Sequence, residues 1–463
     1  MKFTAKGLEL AGSDLLAPLM VALQPDPNQD PAWEQPGNLQ ITEVARVLPG
    51  RRLSGSGSFN GRPVFAKLFY GSRARRYWLR ELTGAANLQR SGISTPALLA
   101  RGAFVDGGGY FVIYVALGDA QNLAAHVDAD ISDAVALLAE LHGAGFIQED
   151  IHVGNFVRSE SNAYMVDADG VRRAHLLRHQ IANLALLLAQ RAPACDGQID
   201  RLWREYAALR GEYTERMSSA EVLVALTQRQ RQRRVRRYLA KTQRECTEFV
   251  HRRTWQFDWL CDRRFARTLQ RFMIYPEALI ADGTPIKLGN SATVVRIDVD
   301  GERFIVKRYN IKNLAHRIRR WFKRRARRAW CNGHQLAFLE IPTARPIALL
   351  EQRFGWFAGV SYLVMPDCGE RDLAGALAQS PEAFEQLAPQ AVALLNKLRA
   401  AGLRHGDLKA TNFVLSDEGL VLIDYDALTT GDSSKDVERF VANWADDSEL
   451  SARWVAVLEE AAP

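Results

Sequence analysis

Short segments in which apolar and polar residues alternate are separated by longer segments with helical spacing. Alternation predicts paired strands over residues 46–53 and 63–69, flanking a Ser/Gly-rich segment, 54–61, that is typical of a turn. Apolar residues three and four positions apart predict a helix over 75–90. The remaining predicted elements of this half are a strand at 110–117, a helix at 132–144, a strand at 163–166 and a helix at 175–190. Residues 1–45 are weakly patterned, and the stretch 24–37 is typical of a loop.

The second half repeats this order of elements. Strands are predicted at 284–288, 293–299 and 303–309, and a helix is predicted over 315–338. A strand at 361–365, a helix at 384–401 and a short strand at 420–423 follow. In each half, a five-strand lobe that carries one helix is therefore expected to join a helical lobe.

Four polar residues recur in the second half with the same spacing and in similar apolar frames. They are Asp150, Asn155, Asp167 and Asp169 in the first half and Asp407, Asn412, Asp424 and Asp426 in the second. An Asp, an Asn five residues later and an Asp after a short hairpin are typical of the catalytic loop and metal-binding turn of protein-kinase-like phosphotransferases. The pattern predicts an α+β fold with two protein-kinase-like bilobal domains in tandem. The predicted boundaries are 1–225 and 273–463, joined by a basic, helical linker at 226–272.

Composition agrees with a globular protein of two or three domains. The chain has 463 residues, of which 47% are hydrophobic and 24% charged. Its five cysteines lack Cys-Xaa-Xaa-Cys spacing, which predicts reduced thiols in a cytoplasmic protein and no zinc site. No apolar run reaches the length of a membrane span, so neither a signal peptide nor a spanning helix is expected.

The second half contains the residue types that phosphoryl transfer from Mg-ATP requires. Lys307, on a predicted strand, would contact the phosphates, and Asp407 would accept the proton of the acceptor hydroxyl. Asn412 and Asp424 would hold magnesium. The backbone N–H groups of a turn would cover the triphosphate; its residues are Gly289, Asn290 and Ser291.

The first half contains a similar set with two departures. Lys67 would contact phosphate and Glu81 would pair with it, while Asp150 would be the base. Asn155 and Asp167 would hold the metal. Its glycine loop matches poorly, and Gln148 stands where the second half has His405.

The second half lacks an obvious partner for its lysine. No Asp or Glu occurs over 313–339, so the expected Lys–Glu ion pair has no carboxylate on the predicted helix. Asn332 or His334 would have to substitute for it. Either half could be the degraded copy.

Residues 314–330 predict a basic amphipathic helix. Arginines and Lys323 surround an apolar face that includes Trp321 and Trp330. This composition suits an anionic membrane surface or a phosphate-bearing ligand, and equally a helix whose apolar face is core and whose arginines are solvated. Nucleic acid is a competing partner for the arginine runs, but no nucleic-acid-binding module accompanies them, so it ranks lower.

The second half resembles the lipopolysaccharide core kinase family, the Kdo and heptose kinases. The matching motifs are Ile341-Pro-Thr-Ala-Arg-Pro346 with the upstream Ala-Trp-Cys-Asn-Gly-His-Gln-Leu, His405-Gly-Asp-Leu-Lys-Ala-Thr-Asn-Phe413 and Leu422-Ile-Asp-Tyr-Asp426. The first half matches more loosely. The resemblance implies ATP- and magnesium-dependent phosphorylation of an inner-core sugar on a lipid-linked oligosaccharide, by a protein peripheral to the cytoplasmic face of the inner membrane. The tandem departs from the single-domain pattern of the family.

Two other functions are compatible with the same residues. A pseudokinase scaffold for core assembly would account for the missing helix carboxylate and for Gln148. A small-molecule phosphotransferase of the aminoglycoside-kinase type shares the Asp…Asn…Asp arrangement but has no need of the basic helix.

Overall fold

The structure is a computed structural model that describes residues 2–11, 17–26, 37–211, 214, 218–310, 325–354 and 357–460. The chain divides into two compact units. The first comprises Met1–Arg191 and Gly197–Arg231, and the second comprises Ala192–Asp196 and Gln232–Pro463.

The first unit combines a large sheet with a helical region. Its described strands are β1 (Lys2–Phe3), β2 (Leu19–Pro25), β3 (Gly37–Leu48), β4 (Arg52–Phe59), β5 (Arg62–Tyr70), β6 (Leu98–Phe104), β7 (Gly109–Val115), β8 (Gln121–Asn122), β9 (Phe146–Gln148), β10 (Phe156–Ser159), β11 (Asn162–Met165) and β12 (Val171–Arg173). Its described helices are α1 (Ala5–Ala11), α2 (Ala74–Ser91), α3 (Asp128–Gly143), α4 (Leu177–Leu188), α5 (Ile199–Arg210) and the start of α6 (Ala220–Lys241).

The sheet of the first unit closes on itself. Its strand order is β1-β2-β3-β4-β5-β7-β6, and β6 also pairs with β2, so six strands form a ring without a free edge. Alternate residues of β2 point into the ring, where Leu19, Val21 and Leu23 are buried. A separate apolar core lies in the helical region, where α3, α4 and α5 pack together.

The second unit has the same two kinds of region. Its described strands are β13 (Phe249–Arg253), β14 (Phe257–Asp262), β15 (Thr284–Leu288), β16 (Ala292–Val299), β17 (Glu302–Tyr309), β18 (Ala348–Phe354), β19 (Phe357–Pro366), β20 (Leu403–Arg404), β21 (Phe413–Ser416), β22 (Gly419–Leu422) and β23 (Thr429–Thr430). Its described helices are α7 (Gln270–Ile274), α8 (Pro276–Asp282), α9 (Arg325–Phe338), α10 (Leu373–Gln379), α11 (Phe384–Ala400), α12 (Ser434–Val441) and α13 (Ser448–Glu460).

Five strands have the same spatial order in both large sheets. The order is β3-β4-β5-β7-β6 in the first unit and β15-β16-β17-β19-β18 in the second. Lys67 lies on β5 and Lys307 on β17, which is the third strand of each run. Each lysine is therefore in the middle of its sheet, on a strand held by hydrogen bonds on both sides.

Two predictions for the first 61 residues are wrong. Residues 1–45 contribute β2 and most of β3, and the Ser/Gly-rich segment is strand β4 rather than a turn. A Cβ on Gly55 or Gly57 would lie 2.3 or 1.9 Å from a carbonyl oxygen of β3. The pairing of β3 with β4 is irregular at these positions. The glycines therefore permit the close approach of a bulged partner strand and do not mark a chain reversal.

The predicted helical linker is helical only as far as Lys241. Residues Phe249–Arg253 and Phe257–Asp262 form a hairpin, and β14 pairs with β18 of the second sheet. The prediction relied on basic composition and few turn residues, whereas the consecutive apolar residues Trp259, Leu260 and Cys261 are all buried in β14. The helix predicted from residue 315 begins at Arg325 in α9, and residues 311–324 lie outside the described part of the chain.

Candidate active site

A cleft of about 490 Å³ in the second unit collects several of the predicted residues. Lys307, Asn412 and Asp424 lie on its polar side. Apolar side chains form much of the rest of its lining: Ile286, Val294, Ile305, Ala344, Leu363, Met365, Val414 and Ile423. A cleft with an apolar wall and a few convergent charged groups is the usual form of a small-molecule site.

Lys307 is held by two carboxylates of the Asp-Tyr-Asp turn. Its Nζ lies 2.6 Å from Asp424 Oδ1 and 3.0 Å from Asp426 Oδ2. Burial raises the pKa of the Asp424 carboxyl, but the neighbouring Lys307 outweighs this effect, and the pKa is lowered from its ordinary value. Asp424 is therefore ionised at neutral pH.

Asp426 is the second carboxylate partner of Lys307 and replaces the glutamate that was expected on helix α9. It accepts hydrogen bonds from the Tyr309 hydroxyl at 2.9 Å and from Arg325 at 3.0 Å, in addition to its ion pair with Lys307. Burial and the Asp426 charge raise the pKa of Tyr309 well above its ordinary value, so the hydroxyl remains a donor. The partner of Lys307 thus comes from the turn after β22, not from the helix.

The suggestion that Asn332 or His334 replaces the missing Glu is wrong. Asn332 donates to the Tyr425 carbonyl at 2.8 Å. His334 lies in an aromatic cluster, 4.3 Å from the Trp330 ring, and pairs with the Tyr238 hydroxyl. Both side chains instead fasten α9 to other elements, and Lys307 is paired with Asp424 and Asp426.

Helix α2 and helix α9 each approach the Asp-Xaa-Asp turn of their unit at a glycine. A Cβ on Gly84 of α2 would lie 1.8 Å from the Ala168 carbonyl, and one on Gly333 of α9 would lie 2.4 Å from the Pro346 ring and 2.7 Å from the Tyr425 ring. Each glycine thus meets the residue between the two aspartates of its turn. Glu81 precedes Gly84 by three residues, and Trp330 has that position before Gly333. A fully buried tryptophan occupies the place that Glu81 has in the first unit.

Burial of His334 makes the stability of the protein sensitive to acid. Its pKa falls from 6.5 to about 3 because burial disfavours the charged ring. Between these values the unfolded chain binds a proton that the folded chain does not, so stability decreases as the pH falls. We expect His334→Phe to remove a slope of up to about 1.4 kcal/mol per pH unit, measured by urea unfolding across this pH range. The exposed control His179→Phe should keep the wild-type slope, and an unchanged slope in His334→Phe would contradict the assignment.

The loop that contains Asp407 is held by ion pairs of the Asp407 side chain and by a hydrogen bond to the Asp407 carbonyl. Asp407 is half-exposed and forms ion pairs with Lys409 at 3.1 Å and Arg439 at 3.8 Å. The Asn412 amide nitrogen donates to the Asp407 carbonyl at 2.8 Å, which leaves the Asn412 amide oxygen as the ligand atom. The base candidate and the metal-ligand candidate are therefore parts of one short loop.

Asp436, which no sequence motif identified, contacts the loop that contains Asp407. It is buried on α12 and accepts hydrogen bonds from the backbone N–H groups of His405 at 2.5 Å and Gly406 at 3.0 Å. The His405 ring contacts the Ile423 carbonyl at 3.2 Å, and burial lowers its pKa. Asp436 and His405 thereby tie the Asp407 loop to the Asp424 turn. No short motif marks Asp436, because it lies 30 or more residues from the groups that it contacts.

The predicted glycine loop lies beside the cleft without lining it. Gly289, Asn290 and Ser291 connect β15 to β16. The Asn310 amide donates to the Gly289 carbonyl at 2.9 Å. The cleft is lined instead by the flanking Lys287 and Val294.

In the first unit the predicted lysine, glutamate and aspartate meet. Lys67 Nζ lies 2.6 Å from Glu81 Oε1 and 2.9 Å from Asp167 Oδ1. Burial lowers the pKa of Lys67, but Glu81 and Asp167 together outweigh this and raise it. The Tyr114 hydroxyl also donates to Glu81 at 2.8 Å.

Asp150 and Asn155 form a loop like that of the second unit. Asp150 is exposed, and the Asn155 amide donates to its carbonyl at 3.4 Å. The buried Asn155 amide oxygen has no hydrogen-bond partner among the described residues. Gln148 takes the place of His405, because its amide donates to the carbonyls of Asp167 at 3.0 Å and Asp169 at 2.8 Å. The substitution therefore preserves the connection between loop and turn.

Asp169 differs from its counterpart in the second unit. It pairs with Arg80 at 3.0 Å and with Arg51 at 3.7 Å, and the Arg51 guanidinium lies 4.1 Å above the Tyr77 ring. Arg51 is the last residue of the turn between β3 and β4, whereas Arg80 lies on α2. One of the two arginines thus comes from the turn that corresponds to the predicted glycine loop of the second unit.

Each site fits a magnesium ion that is shared with a ligand. The described residues contain no group of three or more His, Cys, Asp or Glu side chains able to hold a metal. Magnesium is usually held by one or two carboxylates together with substrate phosphates and water. Asp424 with Asn412, or Asp167 with Asn155, would supply the protein ligands, and the unpartnered Asn155 oxygen fits that use.

The predicted basic helix at 314–330 falls largely outside the described residues. Within the described part of the chain, no helix combines the length and apolar character needed to cross a bilayer.

Comparison with known proteins gives one family match. Residues 282–402 match the model of the phosphotransferase enzyme family (APH), and this match supports a kinase-type phosphotransferase. The matched segment includes Lys307 and ends before Asp407. No curated protein matched the chain. A solved structure, WaaP in complex with acyl carrier protein, is similar with a TM-score of 0.30 and 17% identity over 41% of this chain and 88% of that chain. A similarity of this size carries no conclusion about activity.

Proposed function

We propose that this protein is a kinase that transfers the γ-phosphoryl group of ATP to a sugar hydroxyl of the lipopolysaccharide inner core. The observation that carries the proposal is the second-unit cleft, whose lining combines Lys307, Asn412 and Asp424 with a set of apolar side chains. The charged groups suit a triphosphate, and the apolar side chains suit a base.

Each residue then has a chemical role. Lys307 neutralises phosphate charge, and Asp407 accepts the proton of the attacking hydroxyl. Asp424 and Asn412 would hold magnesium, which would supply charge neutralisation at the phosphates. His405 and Asp436 keep the base and the metal ligands in a fixed relation.

One observation favours the second unit as the one that transfers phosphate. Asp424 has a left-handed backbone conformation with φ 57°, which costs on the order of 1 kcal/mol and is typical of functional turns, whereas Asp167 does not. We propose that both units are kinase-like bilobal domains in tandem and that the first is the divergent copy.

The acceptor is proposed from the resemblance in the second half and from the basic sequence 314–330. A cationic amphipathic segment suits a lipid-linked core oligosaccharide at an anionic membrane. The protein would then act at the cytoplasmic face of the inner membrane, as a peripheral protein. Nucleic acid remains the lower-ranked partner.

The family match over 282–402 favours a second candidate, a small-molecule phosphotransferase of the aminoglycoside-kinase type. Purified core lipid and an aminoglycoside panel, each incubated with γ-labelled ATP, distinguish the two acceptor classes. Label in core lipid supports the first candidate, and label only in the small molecules supports the second.

Nucleotide binding is tested by thermal unfolding with Mg-ATP. A ligand at a hundred times its Kd stabilises a folded protein by about 2.7 kcal/mol. We expect an upward shift of Tm in the wild type and in Lys67→Met, and loss of most of that shift in Lys307→Met. The two variants remove the equivalent lysine from each unit, so each is the control for the other. No shift in any of the three proteins would instead support the scaffold.

A further inference from the structure

A groove of about 770 Å³ lies in the first unit, apart from the second-unit cleft. One wall is the first turns of α2, from Arg73 to Thr83. The other wall is the turn after Asp169 together with Glu149, which directly precedes Asp150. The groove therefore runs beside the loop of the first unit that contains Asp150.

The arginines that line the groove outnumber the carboxylates that form ion pairs with them. Five arginines line it: Arg73, Arg75, Arg76, Arg80 and Arg172. Arg80 pairs with Asp169 and Arg172 with Glu149. The side chains of the other three are exposed and form no ion pair or hydrogen bond with the described residues. Three guanidinium groups are thus left to solvent on one wall.

The position of these arginines on α2 is unfavourable for the helix itself. The helix begins at Ala74, has no acidic residue in its first turn, and lacks a side-chain cap. The N-terminal end of a helix carries partial positive charge, so Arg75 and Arg76 are repelled by it. A bound anion would relieve this repulsion, whereas a merely solvated surface would gain nothing from the arrangement.

We propose that this groove binds a phosphate-bearing ligand through Arg73, Arg75 and Arg76. Arginine is well suited to this role because its planar guanidinium can donate two parallel hydrogen bonds to a phosphate. Leu79, which is 45% exposed in the same groove, would contact an apolar part of the ligand. The proposal is independent of whether the second unit transfers phosphate.

The test uses the full chain and two triple variants of equal charge. One is Arg73→Gln/Arg75→Gln/Arg76→Gln. The control is Arg46→Gln/Arg90→Gln/Arg178→Gln, which changes three exposed first-unit arginines that are outside the groove. Equilibrium binding is measured with inorganic pyrophosphate, with vesicles of equal parts phosphatidylcholine and phosphatidic acid, and with a short duplex RNA. Pure phosphatidylcholine vesicles are the blank, and thermal unfolding verifies that both variants fold.

We expect the groove variant to bind its phosphate probe at least about tenfold more weakly, since one lost charged hydrogen bond changes affinity by about that factor. The control should bind like the wild type. Selective loss with pyrophosphate identifies a soluble phosphate compound, and selective loss with vesicles alone identifies a lipid headgroup. Equal weakening in both variants, an unaffected groove variant, or binding of RNA alone would overturn the proposal.

Discussion

Replacing Asp407 by Asn is expected to lower kcat for phosphoryl transfer by about two to four orders of magnitude. The amide keeps the shape of the side chain but cannot accept the proton of the attacking hydroxyl. Stability should change little, because Asp407 is 41% exposed and its ion pairs with Lys409 and Arg439 lie at the surface. The measurement is phosphate incorporation into core lipid at saturating Mg-ATP, and KM for ATP should stay near the wild-type value.

Asp150→Asn is the matched change in the first unit and should retain most of the activity. If Asp150→Asn abolishes transfer and Asp407→Asn does not, the first unit is the active one. Full activity in the double variant would exclude both residues as the base and end the kinase proposal in this form.

Asp436→Ala is expected to lower both activity and stability. The change leaves the buried N–H group of His405 and the part-buried N–H group of Gly406 without their acceptor. An unsatisfied buried donor costs about 1–3 kcal/mol, so we expect a loss of at least about 1–3 kcal/mol in urea unfolding. Because the same hydrogen bonds hold the loop of Asp407, kcat should fall by at least about tenfold in the protein that remains folded.

Two further variants separate positioning from general loss of stability. Asp436→Asn keeps one acceptor oxygen and should recover part of the lost kcat and part of the lost free energy of unfolding. Asn183→Ala removes the corresponding contact in the first unit, where the Asn183 amide oxygen accepts a hydrogen bond from the Gln148 backbone N–H at 3.3 Å, and should leave kcat unchanged. Wild-type kcat in Asp436→Ala would show that the loop keeps its geometry without this anchor.

Helix and strand positions were largely predictable where the periodic pattern was strong. The helix predicted over 75–90 is α2, and that over 384–401 is α11. The errors fall where composition opposed periodicity. Glycines in β4 suggested a turn because their role depends on the neighbouring strand, and the arginines after Lys241 suggested a continuing helix.

Much of the site around the second-unit cleft was also predictable, because its residues occur in short motifs. The spacing of Asp407, Asn412 and Asp424 assigned them to one loop and one turn, and the structure has them in that arrangement. The glycine turn at 289–291 was the weakest assignment, since such a turn also joins any two adjacent strands.

The sequence by itself determined the repeated acidic motif, the placement of each lysine on a strand and most of the helices. Local periodicity and motif spacing suffice for these, because they depend on residues close together in the chain. The tertiary structure decided that Asp426 pairs with Lys307, that Asp436 anchors the Asp407 loop, and that unpaired arginines line one groove. Such contacts join side chains from separate elements, and their partners follow from the packing distances between those elements.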